Sequence, residues 1–231
     1  MSADNYEALY ASNYLGHFIL LQELLPALEK EALAGTDVRI TATSSIAHWN
    51  HDADLAALLP LGGRLAKGFD SNTLNPFQMF RQYGNTKLLQ IHMCLELQRR
   101  LEKKGLGGKL TVTPLAPGLV ATAIGQSKRD TAKDAFVPGA VNTFHGAQTT
   151  MHALLAPSMK GTTSVFVQPY YSPLHLGSNL PLGGFFGVIL PFEMLNQRRT
   201  WALHRWLPHV DAYDHEFASK LWEESLAATV Q

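Results

Sequence analysis

Three β-branched runs, each preceded by a segment with helical apolar spacing, constrain this chain more than any other feature. Tyr6, Leu9, Tyr10, Tyr14, Phe18, Leu21, Leu25 and Leu28 recur at steps of three and four, which predicts a helix over 5–33. Asp4 and Glu7 supply a capping-box-like start, Pro26 a bend and Gly35 a stop. Val38–Thr43 then reads as a strand. A second helix is expected over 77–104, with Leu88, Ile91, Leu95 and Leu101 on its apolar face and Gly105, Gly107 and Gly108 ending it. Lys109–Leu115 is the second strand. A helix over 138–155, opened by Pro138, leads to a third strand at Thr162–Val167. Helix and strand in alternation imply a parallel sheet with helices on its faces. Residues 46–76 form a long loop, and the tail 169–231 is expected to carry one or two helices bearing Trp201, Trp206 and Trp222.

Composition excludes several classes of partner. Nineteen basic and nineteen acidic residues cancel, so nucleic acid loses its electrostatic driving force. Charged residues make up 16%, against roughly 25% in ordinary soluble domains, so extra apolar surface is expected toward a ligand, a partner chain or a membrane. The lone Cys94 excludes a disulfide framework and a cysteine-based zinc site. The start Met-Ser-Ala-Asp-Asn-Tyr-Glu does not read as a secretory leader. The longest apolar stretch, 180–192, is too short and too broken by Pro and Gly to span a bilayer. A cytoplasmic location is expected, with 180–192 available for contact with a membrane surface.

Chemistry concentrates in four segments. Tyr83-Gly-Asn-Thr-Lys87 places a phenol and an ammonium four residues apart, on one face of the second helix. The ammonium is expected to favour the phenolate and so lower the Tyr83 pKa toward general acid/base work. Ser44-Ser45 stands where the first strand ends, at the edge where such sheets place their ligands. Pro117-Gly-Leu-Val-Ala-Thr122 follows the second strand, and Asn13-Tyr-Leu-Gly-His-Phe18 lies on the first helix. His48 and His51 resemble a metal pair, but no third ligand stands near them in the sequence, so no metal site is expected.

Asn-Tyr-Leu-Gly-His-Phe, Thr-Ser-Ser-Ile-Ala-His, Tyr-Gly-Asn-Thr-Lys and Pro-Gly-Leu-Val-Ala-Thr stand in the order found in short-chain dehydrogenases/reductases, and the chain most resembles their retinol-dehydrogenase-like branch. Gly146-Ala-Gln-Thr149 and Leu221-Trp-Glu223 extend the likeness. The resemblance implies a Rossmann-like doubly wound parallel sheet. Tyr83 would be the acid/base. Lys87 would lower its pKa and hold the nicotinamide ribose, and Ser45 would orient the substrate oxygen. Asn13 would position the water of a proton relay. Pro117, Gly118, Val120 and Thr122 would line the nicotinamide of NADP, or of NAD. Thr86 stands where the family commonly has Ser.

The family's glycine-rich turn, Thr-Gly-x-x-x-Gly-x-Gly, is not in this sequence, nor is its Asn-Ala-Gly turn. The expectation is therefore an N-terminally truncated sheet with a helical C-terminal extension. Residues 1–168 would be the C-terminal part of a Rossmann-like catalytic domain, and 169–231 its substrate lid and tail. The strand at 38–43 would then have an exposed edge, and dinucleotide binding would be weak. The leading reading is hydride transfer between NADP(H) and a lipophilic alcohol or ketone. The alternatives are a cofactor-independent isomerase or dehydratase, and a non-catalytic partner of a complete homologue. Homo- or hetero-association is expected through the helices 5–33 and 77–104.

Overall fold

The computed structural model describes residues 2, 5–52, 54, 73–122, 140–163, 165–169, 203–206 (as backbone) and 208–229. The first helix begins at Glu7 rather than at a capping box. Its carboxylate accepts the amides of Leu9 and Tyr10 at 3.0 and 2.8 Å and caps α1 (Ala8–Tyr10). The chain then widens into a π turn over Ala11–Leu15 and resumes as α2 (Gly16–Leu33), which continues through Pro26. Asp4 lies outside the described residues.

The second long helix, α3 (Pro76–Lys103), starts one residue earlier than its periodicity suggests. Asn75 caps it: its side chain accepts the Gln78 amide at 2.9 Å, and the Gln78 side chain returns the bond at 3.0 Å. The strands β1 (Val38–Thr43) and β2 (Leu110–Leu115) pair in parallel along their full length, from Val38 opposite Leu110 to Thr43 opposite Leu115. Other features depart from the sequence expectation. The helix expected from Pro138 is α4 (Thr143–Leu155), capped by Asn142, while Pro138 itself lies outside the described residues. The third strand is β3 (Phe166–Pro169), later than the β-branched run; Thr162 instead closes the turn after the short 3-10 helix Pro157–Met159.

The sheet has the order β1-β2-β3-β4. Its first three strands run parallel. The tail contributes β4 (Leu203–Trp206), antiparallel to β3, before α5 (His215–Thr229). Trp206 therefore sits on a strand and not on the helix expected for it. Trp222 is on α5 as expected, whereas Trp201 and 180–192 lie outside the described residues. The fold class agrees with the expectation: α/β, with the parallel strands of a partial Rossmann-like sheet, to which the tail adds a strand as well as a helix.

Every residue of β2 is buried, which requires cover on both faces of the sheet. On one face Val38, Ala42, Leu110 and Val112 pack with Tyr10, Tyr14, Phe18, Leu89, Met93, Leu97 and Trp222. On the other, Leu115 and Val167 pack with Ala153 of α4 and Met159. Arg39 points to that second side and donates to the Ala156 carbonyl at 2.7 Å, fixing the end of α4. Among the described residues β1 is the edge strand, with β2 as its β neighbour.

Two buried histidines make the fold sensitive to acid. Burial pushes His48 and His92 down to about 4. For His92 the carboxylates of Asp214 and Asp211 oppose the shift, and His51 and His215 add to it. Both His92 ring nitrogens are buried without a hydrogen-bond partner among the described residues, and the ring packs on Phe217 at 4.8 Å between centroids. The folded-state pKa lies below the unfolded value, so the unfolded chain binds more protons between pH 6.5 and 4 and stability falls through that window. His92→Leu should hold stability at pH 7 within about 1.5 kcal/mol and flatten the acid limb. Urea midpoints at pH 7 and pH 4.5 check this; a parallel acid loss in both proteins would contradict it.

Candidate active site

The site is assembled around the N-terminal half of α3. Tyr83 and Lys87 project from one face, with the Lys87 ammonium 5.5 Å from the centre of the Tyr83 ring. Beyond the C-terminal end of β1 the chain enters a 3-10 turn over Ile46–Asn50, capped by Ser45. Ser44 and Ser45 divide the work there. The Ser44 amide continues the β1–β2 ladder to the Leu115 carbonyl at 2.7 Å, and its hydroxyl donates to the Lys87 carbonyl at 2.7 Å. The Ser45 hydroxyl accepts the Ala47 amide at 3.1 Å and lies near enough to the Tyr83 hydroxyl to act on its pKa. Ser45, Tyr83 and Lys87 thus meet at the C-terminal end of the parallel strands.

Gly84 permits this approach. A Cβ there would lie 2.6 Å from the Ala47 carbonyl oxygen and 3.1 Å from that of Asn50. The turn is also tied to α3 by Asn85, which exchanges two 2.8 Å hydrogen bonds with the amide and carboxylate of Asp52. His48 links the same turn to the tail: its ring bonds the Ser45 carbonyl at 2.6 Å and accepts the His209 amide at 3.2 Å.

The electrostatics differ from the sequence expectation. Burial raises the Tyr83 pKa, and the Ser45 hydroxyl offsets part of that rise. The expected lowering by Lys87 is not found. The Lys87 ammonium donates to the Thr43 carbonyl and to the Gln90 side-chain oxygen, both at 2.9 Å. Burial in turn pulls Lys87 down to about 8. At neutral pH Tyr83 is therefore a protonated phenol, a proton donor ready for an oxygen placed between it and Ser45.

Asn13 lies in the π turn, a distortion often found at functional sites. Its side chain donates to the Thr86 hydroxyl at 3.2 Å, and its carbonyl accepts the Gln90 amide at 2.6 Å. Pro117, Gly118, Val120 and Thr122 form the turn after β2. Gly118 has φ of 81°, in the left-handed region, and Val120 bridges to Val141. A Cβ on Gly146 would come within 2.5 Å of Val120, so the glycine lets α4 press against this turn. Sequence spacing could not reveal one further cluster. His51, His209 and Asp211 place ligand-capable atoms within 4.8 Å of one another, although Asp211 is 160 residues beyond His51. Their own bonds close it: His51 to the Asp211 carboxylate at 2.8 Å and the Asp211 amide to the His209 ring at 3.2 Å. The cluster works as a clasp between the Ser45 turn and the tail.

The sequence matches curated relatives over most of its length. It is 27% identical over 228 residues to the polyprenol dehydrogenase of Danio rerio, covering 97% of this chain and 56% of that one. It is 34% identical over 125 residues to the short chain dehydrogenase/reductase dpchH of Colletotrichum higginsianum, covering 52% and 30%. The chain is a relative of the short-chain dehydrogenases/reductases. It spans about half the length, or less, of the curated relatives described here. The chloroplastic short-chain dehydrogenase TIC 32 B of Brassica napus is 28% identical over 72% of the chain. No family model matches. An uncharacterized protein from Mycobacterium Paratuberculosis shares the fold, with a TM-score of 0.61 at 24% identity over 100% of this chain and 62% of that structure.

Short-chain dehydrogenases/reductases generally use a nicotinamide dinucleotide. Two of the three Lys87 hydrogens are bonded among the described residues, and the Gly118 turn stands at the neighbouring strand end. Among the described residues no helix opens on a glycine-rich turn after a strand, the arrangement that holds a pyrophosphate.

Gly84→Ala tests the close approach. Ala exceeds Gly by about 1 kcal/mol in an open helix, but here overpacking against backbone should cost about 1–3 kcal/mol. A lowered midpoint in chemical denaturation is expected, and a raised one would show that the contact is slack.

Proposed function

We propose that this chain carries the acid/base half of a short-chain oxidoreductase site that reduces a ketone or aldehyde, or oxidises the matching alcohol, with NADP(H) or NAD(H). The observation that carries the reading is the gathering of Ser45, Tyr83 and Lys87 at the strand ends, with the Lys87 ammonium 5.5 Å from the centre of the Tyr83 ring. A substrate carbonyl oxygen would accept from the Tyr83 and Ser45 hydroxyls together. As negative charge grows on that oxygen, Tyr83 passes its proton to it, and the Ser45 hydroxyl holds the oxygen in line. Lys87 stands beside the ring as a cation held by neutral oxygens, which supports the phenolate that remains. A reduced nicotinamide would supply the hydride to the carbonyl carbon. Tyr83, Lys87, Pro117, Gly118, Val120 and Thr122 are the residues that would hold its ribose and ring.

A lipophilic alcohol or ketone is the proposed substrate class. The apolar sequence of 180–192 supports it, as does the likeness to polyprenol dehydrogenases of Danio rerio and Mus musculus. None of the described helices is long and apolar enough to cross a membrane.

Turnover of a panel of lipophilic ketones with saturating NADPH or NADH tests the reading. Tyr83→Phe should lower kcat by about 10²–10⁴-fold with its fold unchanged by circular dichroism. Undiminished turnover in that variant would remove Tyr83 as the acid.

A further inference from the structure

Gln90 lies one turn after Lys87 on α3 and is 1% exposed. Its amide nitrogen donates to the Asn13 carbonyl at 2.6 Å, and its oxygen accepts from the Lys87 ammonium at 2.9 Å. The partners fix the orientation of the amide. A carbonyl only accepts and an ammonium only donates, so the flipped amide would oppose acceptor to acceptor and donor to donor. The Asn13 carbonyl receives a side chain where the helix widens into its π turn. Three separate segments therefore converge on one ammonium: Thr43 at the end of β1, α3 itself, and the π turn through Gln90.

We propose that Gln90 is a positioning residue that suspends Lys87 from the Asn13 carbonyl, using a side-chain amide as the bridge between them and leaving a single ammonium hydrogen for the site. An amide in this place has a chemical consequence that a water would not. It transmits no proton, because passing one on would require the imidic acid tautomer. Lys87 is thereby fixed in direction and insulated on the Asn13 side. The role of Lys87 rests on the functional reading above, whereas the suspension itself rests on hydrogen bonds alone.

Among the described residues the groups facing Lys87 are few. They are the Thr43 carbonyl from β1, the Gln90 oxygen and the Tyr83 ring from α3, with burial as the cause of its depressed pKa. Each neutral oxygen bonded to the ammonium favours the charged form, so removing one should move the titration visibly.

The test is an NMR titration of lysine side chains in protein made with 13C,15N-lysine, with Lys87 assigned through Lys87→Arg. Gln90→Met keeps the volume and deletes the acceptor, and it should lower the Lys87 midpoint by about one pH unit. Gln90→Glu substitutes an anion and should raise it by about one unit or more. Unchanged midpoints in the folded variants would overturn the proposal, and if Gln90→Met fails to fold, Gln90→Glu decides alone. The readout needs no turnover, so a chain without reductase activity would remove the functional reading and leave this result standing. Where turnover is measurable, the alkaline limb of kcat should move with Lys87 while KM changes little.

Discussion

The structure depends on a polar face of α3 that is turned inward. Gln82, Asn85, Thr86 and Gln90 are buried on the same side of a helix that, interleaved with them and one turn further on, supplies Leu89, Met93 and Leu97 to the core. Buried amides are costly unless every donor and acceptor is matched, and here the matches are to other segments. Gln82 reaches the Glu7 carboxylate that caps α1, at 3.2 Å. Asn85 holds the chain at Asp52, and Thr86 and Gln90 hold both ends of Asn13. One helix thus fixes the start of the first helix, its π turn and the turn after β1. Tyr83 and Lys87 sit in the middle of that network, so the geometry of the site follows from bonds that also hold the fold together.

The same construction explains why the electrostatics run against simple expectation. A lysine four residues from a tyrosine invites the inference of a lowered phenol pKa. In the fold the ammonium is engaged by Thr43 and Gln90, the phenol is buried, and the Ser45 hydroxyl is the group that acts on Tyr83. The result is a phenol held protonated, which suits donation to a carbonyl oxygen, beside a lysine whose cost of burial is offset by two carbonyl-type acceptors.

Much of this was legible in the sequence. The βα alternation was visible because β1 and β2 are β-branched and short, and because the apolar spacing before them is helical. The four motifs identified Asn13, Ser45, Tyr83, Lys87 and the Pro117–Thr122 turn as residues of interest, and the fold gathers the first four around α3. Other features were hidden for physical reasons. β3 is four residues long and takes its partner from a distant tail, so local propensity favoured the preceding threonines. Gln90 reads as an ordinary polar helix residue, and its importance appears only when the Asn13 carbonyl is seen opposite it. His209 and Asp211 join His51 through the tail, a contact that no spacing rule contains.

The direct measurement is the titration of Tyr83 itself, followed by NMR in protein made with 13Cζ-tyrosine and assigned through Tyr83→Phe. Burial and the Ser45 hydroxyl act on this phenol in opposite directions, so the account predicts a midpoint above 10 that rises further in Ser45→Ala. A midpoint at or below 10, or one indifferent to Ser45, would contradict the placement of Ser45 and Tyr83 as a coupled pair.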